Sequence, residues 1–135
     1  MTASHRKAAW LLSAVVLFLA ASAYVHLLQS RVDERIAFIR SMPVASGAVP
    51  VDHGVRGSMF CVSPSCEGVV AYATFRYPDM TTLCRDVERL KTEWPGVSDV
   101  SPTGSECSWV GRSRLAHIAV TGSETTDGPK LYVLG

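Results

Sequence analysis

A chain of 135 residues carrying a net charge of +1 has room for one small domain and a membrane or targeting segment, and not for a large multidomain enzyme. Hydrophobic residues make up 47% and charged residues 19%. That composition excludes an intrinsically disordered chain and a strongly basic nucleic-acid binder.

The first element is an apolar run. No Asp, Glu, Lys or Arg interrupts residues 8–28, AAWLLSAVVLFLAASAYVHLL. As a helix it would extend roughly 32 Å at 1.5 Å per residue, close to the hydrocarbon thickness of a bilayer. A buried core helix is a poor fit, because the remaining chain is too short to wrap a helix that is apolar on every side. Two readings remain. Arg6 and Lys7 make a basic flank and Ala21-Ser22-Ala23 has the A-x-A form of a signal cleavage site, so secretion after cleavage near Ala23 is one. The other is a retained single-pass signal-anchor. We favour the anchor, because the apolar run continues through Tyr24, Val25, Leu27 and Leu28 with no Gly or Pro before the cut. It also exceeds the h-region of a cleaved signal, about 7–15 residues. Leu19-Ala20-Ala21 resembles the start of a lipobox, but Ser22 stands where the acylated Cys must be. Within the run, Ala9, Ser13, Val16, Ala20 and Ala23 form a small-residue stripe suited to helix packing. An alanine-rich composition produces such stripes by chance.

Residues 1–7 are then a short cytoplasmic tail and residues 8–28 a transmembrane helix, with the lipid bilayer as first partner. Positive charge alone does not orient it. Arg6 and Lys7 lie on one flank; Arg31, Arg35 and Arg40 lie on the other, diluted by Asp33 and Glu34. The cysteines decide. Cys61, Cys66, Cys84 and Cys107 all follow the apolar run, and their even number suits two disulfides in an extracytoplasmic domain. The N-terminus is accordingly expected inside and the domain outside the cell membrane. A zinc site using four thiolates usually shows two close Cys pairs, and here only Cys61 and Cys66 are close.

Residues 29–54 read as stalk and linker. Val32, Ile36 and Ile39 could continue the helix with one apolar edge, lying near headgroups or against a neighbour, until Pro43 ends it. Residues 43–54 are small, Pro- and Gly-containing and low in charge, as in an extended linker. The domain is expected over residues 55–135, a size at which a core is marginal unless stapled. From Asp52 onward eight basic residues face ten acidic ones, a net charge of −2, so no nucleic-acid partner is expected.

Residues 69–77, VVAYATFRY, alternate as a strand, with Val69, Ala71, Ala73, Phe75 and Tyr77 on one face. After Pro78, Asp79 can cap a helix whose apolar stripe is Met80, Leu83, Cys84, Val87, Leu90 and Trp94. Arg85, Asp86, Glu88, Arg89, Lys91 and Glu93 take its opposite side, and Pro95-Gly96 ends it. A polar loop follows. Residues 106–110 and 115–121 read as strands joined by the turn 111–114, and residues 131–134 as a last strand; residues 55–61 could pair with the first. The fold class is α+β: one helix packed on a mostly antiparallel sheet of three to five strands, with two disulfides.

One helix covers one face of a sheet and leaves the other open. With Cys107 and Trp109 directed at the helix, the outward set is Tyr72, Thr74, Arg76, Ser108, Val110, Leu115 and His117, a composition suited to protein contact. An ordinary solvated sheet face is the commoner alternative. Pairing is expected as Cys61–Cys66, across a turn containing Pro64, and Cys84–Cys107, since Cys84 faces the sheet and Cys107 is in step with Trp109.

No G-x-S-x-G, H-E-x-x-H, phosphate-binding Gly loop or C-x-x-C occurs, and the four histidines (His5, His26, His53, His117) are scattered. No enzyme activity, metal or cofactor is expected. Two function classes remain. One is a membrane-anchored accessory or interaction module with an envelope or membrane-protein partner. The other is a small ligand-binding domain or enzyme, which a deep pocket flanked by His117 and a carboxylate would favour.

Overall fold

A computed structural model describes residues 3–57 and 68–135. Two compact units result, Met1–Arg31 and Val32–Gly135. The described part of the first is entirely helical and belongs to α1 (Ala3–Arg40). Its large apolar side chains, including Trp10, Leu12, Phe18 and Tyr24, are exposed. This helix is long and apolar enough to be a membrane span or a signal sequence.

The second unit is α+β. After the last turns of α1 come β1 (Val49–Arg56), β2 (Val70–Arg76), α2 (Met80–Glu93), β3 (Ser98–Pro102), β4 (Ser108–Arg112), β5 (His117–Thr125) and β6 (Gly128–Leu134). The strands make one six-stranded sheet in the order β1-β2-β6-β5-β4-β3, antiparallel at every pairing. The sheet is therefore wider than the three to five strands expected. Both edge strands depart from expectation: the partner of β2, expected over residues 55–61, is β1 at Val49–Arg56, and β3 is additional. β1 takes up the second half of the segment read as linker, with a register shift between Pro50 and Asp52. β3, with its own shift between Ser98 and Ser101, occupies the segment read as loop. Edge strands bury little, so neither carries the alternation that betrays a strand.

The α2 helix forms as its periodicity dictates. The Asp79 carboxylate accepts from the Thr82 backbone N–H at 2.7 Å, satisfying a donor that the first turn leaves without a partner, and that bond holds its carboxyl below the usual carboxylate range. Leu83, Val87 and Leu90 are fully buried against Trp109, Ile118, Val120, Leu131 and Val133 of the sheet. Gly96, at φ +84, turns the chain away after the helix, a conformation that costs a Cβ-bearing residue energy. Cys84 and Cys107 are disulfide-bonded with Cα atoms 4.8 Å apart, the expected pair, although Cys107 lies at φ +53 in the turn before β4 and not within a strand in step with Trp109. This is the one disulfide among the described residues. The expected Cys61–Cys66 pair lies outside them.

A second helical segment shares this core. Ile39 and Met42 are buried, Ile36 and Phe38 are partly so, and the Arg35 guanidinium donates to the Val69 carbonyl at 2.8 Å. Residues 32–42, read as stalk, thus join the domain's core, so a second segment serves it where α2 alone was expected.

Asp86 also departs from expectation. Placed on the polar side of α2 by periodicity, it is 3% exposed. Its carboxylate accepts from the Tyr77 hydroxyl, the Ala45 backbone N–H at 2.9 Å and the Arg89 guanidinium, whose Nε lies 2.8 Å away. Arg89 also donates to the Pro43 carbonyl. A buried carboxylate persists because every one of these partners is present.

Candidate functional site

The sheet face turned away from α2 is not covered by any helix among the described residues. Register aligns its side chains in rows. Val110 pairs with Ala119, Ala119 with Leu134, Leu134 with Tyr72, and Tyr72 with Gly54 of β1. A Cβ at Gly54 would lie 3.2 Å from the Tyr72 hydroxyl oxygen, so glycine gives this ring its place. The Arg56 guanidinium lies over the same ring, 4.9 Å from its centroid, and the hydroxyl donates to Asp52 at 3.2 Å. The next row is Ser108, Thr121, Tyr132, Thr74 and Asp52. Val110, Leu134 and Tyr132 are 41%, 43% and 37% exposed, so the face is apolar at its centre and wet.

Of the outward set, Tyr72, Thr74 and Val110 come together on this face. Arg76 lies toward one end of it, paired with Lys130 of β6 and Val49 of β1. Ser108 is in register with the face but buried: its hydroxyl bonds Thr103 and donates to the Ser105 carbonyl at 3.1 Å, so the chain before β4 folds over it. Leu115 and His117 sit at the opposite end from Arg76, at the β4–β5 turn. Tyr132 and Leu134 belong to the face but are absent from the set. Their alternation with Leu131 and Val133 was visible; that β6 lies between β2 and β5 was not.

The turn end of the sheet borders an open groove of about 1000 Å³. Arg35, the start of β2, Asp99, residues 110–119 and the C-terminal Leu134-Gly135 line it. The turn is closed by the Ser113 N–H donating to the Ala116 carbonyl at 2.9 Å, and by the Ser113 hydroxyl accepting from the backbone N–H groups of Leu115 and Ala116. Arg112 and His117 are cross-strand partners at its base. His117 and Asp99 both line the groove, yet both are exposed and no ion pair joins them among the described residues. His53, on β1, is three strands from His117 on β5, at least ~14 Å across the sheet. Among the described residues no group of three or more His, Cys, Asp or Glu could hold a metal ion.

No family model, curated protein or solved structure matches this chain. Its function must therefore be argued from the surface itself.

Proposed function

We propose that the protein is a single-pass membrane-anchored module that presents the open face of its sheet to an envelope or membrane-protein partner. The observation that carries this reading is the row of Val110, Ala119, Leu134 and Tyr72, which crosses four adjacent strands without a helix over it among the described residues. Aliphatic and tyrosyl side chains bordered by Arg56 and Asp52 combine an apolar centre with a polar rim, the composition of protein contact surfaces. Retention of α1 as the anchor is supported by an apolar stretch that passes the A-x-A site without a break. An outside position for the domain, with the N-terminus inside, is supported by the Cys84–Cys107 bond, since disulfides persist in oxidising compartments.

Site-specific photo-crosslinking in intact membranes tests the reading. A crosslinker at Leu134 or Val110 should yield a discrete protein adduct, and one at Thr92, exposed on α2, should not. Absence of adducts at both sheet positions, or equal adducts at Thr92, overturns the assignment of this face. A mature N-terminus at Tyr24 overturns the anchor independently.

A further inference from the structure

We propose that the cationic end of the sheet, formed by Arg35, Arg112, Arg114 and His117, docks on the anionic phospholipid headgroups of the membrane in which α1 is anchored. This rests on the anchor reading above. Three arginines and a histidine line one groove, against Asp99 as its one acidic side chain among the described residues. No ion pair engages Arg112 or Arg114 among the described residues. Elsewhere in the unit Arg89 pairs with Asp86 and Glu93, Lys91 with Glu88 and Lys130 with Asp127, and further arginines such as Arg40 and Arg76 stand singly among the described residues. What distinguishes this end is that three arginines gather at one groove beside a single acidic side chain among the described residues.

The geometry suits a surface better than an enclosed anion. The groove is open, and its cations come from three separate places: α1, β4 and the β4–β5 turn. Arg35 is held at the rim by its bond to Val69, which uses one of the guanidinium's five N–H donors. The Ser113–Ala116 closure places Arg114 and Leu115 in the middle of a tight turn, an arginine beside an aliphatic side chain. Such pairs suit the headgroup boundary, where charge meets phosphate and the aliphatic group leaves water. Chain length keeps Arg35 within reach of the membrane. Arg35 follows Leu28, the last residue of the apolar run, by seven positions, so even an extended chain holds it within about 25 Å. A tethered site needs little affinity of its own, because the membrane is always at high effective concentration. Each arginine near an anionic surface contributes roughly fivefold to partitioning. Docking at this end would fix the orientation of the domain and leave the Val110–Tyr72 row accessible to a partner.

The full-length chain in lipid nanodiscs provides the test. Amide hydrogen exchange over residues 112–117 is compared between phosphatidylcholine discs and discs containing phosphatidylglycerol, for the wild type and for the Arg112→Gln/Arg114→Gln variant. Slowing of several-fold in the anionic discs, abolished in the variant and by high salt, is expected. Equal exchange in both compositions overturns the proposal. Equal slowing in phosphatidylcholine discs on adding inorganic phosphate would assign the groove to a free anion and overturn the headgroup as its occupant. Failure of the chain to enter discs of either composition would instead refute the anchor, so the two failures are distinguishable.

Discussion

The ring of Phe38 stacks on Trp94, with centroids 5.0 Å apart and planes 15° from parallel. Trp94 in turn meets Trp109 edge-on at 6.4 Å. Three aromatic side chains therefore run from the end of α1 through the end of α2 to β4, and Trp109 completes the tie by donating to the Val87 carbonyl at 2.9 Å. The segment that leaves the apolar run is in this way part of the domain's core rather than a spacer before it.

Phe38→Ala should accordingly destabilise the domain. Loss of a buried Phe costs about 3–5 kcal/mol, and the half-buried position of Phe38 lowers the expectation to about 2 kcal/mol. Denaturant unfolding of the full chain, followed by tryptophan fluorescence, reads the effect. An unchanged midpoint would mean that the end of α1 contributes nothing to the core.

Gly122 of β5 lies directly against Leu83 of α2. A Cβ built there would lie 2.1 Å from Leu83 Cδ2 and 3.3 Å from the Cys107 Cβ. Leu83 is fully buried and cannot step aside without displacing its neighbours. Gly122→Ala should cost about 1–3 kcal/mol through overpacking. Leu83→Val frees space and should recover part of that loss, so a double-mutant cycle should show a favourable coupling of about 0.5 kcal/mol or more. Additive losses would contradict the contact.

The Cys84–Cys107 bond closes a loop with a sequence separation of 23. In the chain-entropy estimate that constraint is worth on the order of 3 kcal/mol, a large share of the stability of a small domain. Cys84→Ser/Cys107→Ser should lower the unfolding midpoint strongly. Reductant should destabilise the wild type far more than the double variant. Cys84→Ser alone is expected to be more damaging than Cys66→Ser. Non-reducing peptide mapping that joins Cys84 to Cys61 or Cys66 would refute the pairing.

Tyr77 gives the domain a pH signature. Burial pushes its phenol well above the ordinary tyrosine value of 10.0, and the hydrogen bond to the Asp86 carboxylate pushes it further. The unfolded chain therefore releases this proton at a pH where the folded chain keeps it. Stability from the raised value is complete below pH 10 and falls as pH rises above it. Urea midpoints measured on either side of the ordinary tyrosine value should show this loss in the wild type and a smaller one in Tyr77→Phe. Identical alkaline slopes would remove Tyr77 as the cause.

Much of this architecture was legible in residue order alone. An uncharged run at residues 8–28 sets the length and chemistry of the N-terminal helix, and the period-two pattern of residues 69–77 marks a half-buried strand. The spacing of Leu83, Val87 and Leu90 marks the helix that covers it, and the same spacing points Cys84 at the sheet, where Cys107 lies in the turn just before β4. These signals are local, because burial of one face imposes a period on the residues that make it. What tertiary structure alone decided is the set of features whose partners lie far apart in the chain. β1 and β3 exist because β2 and β4 offer them hydrogen-bonding edges, not because their own residues alternate. Asp86 is buried because Tyr77, Ala45 and Arg89 converge on it, and Phe38 is internal because Trp94 waits 5.0 Å away. The open row of Val110, Ala119, Leu134 and Tyr72 likewise depends on β6 entering between β2 and β5. Strand order follows from which long-range pairings together bury the most apolar surface while satisfying the backbone, and no local pattern encodes that choice.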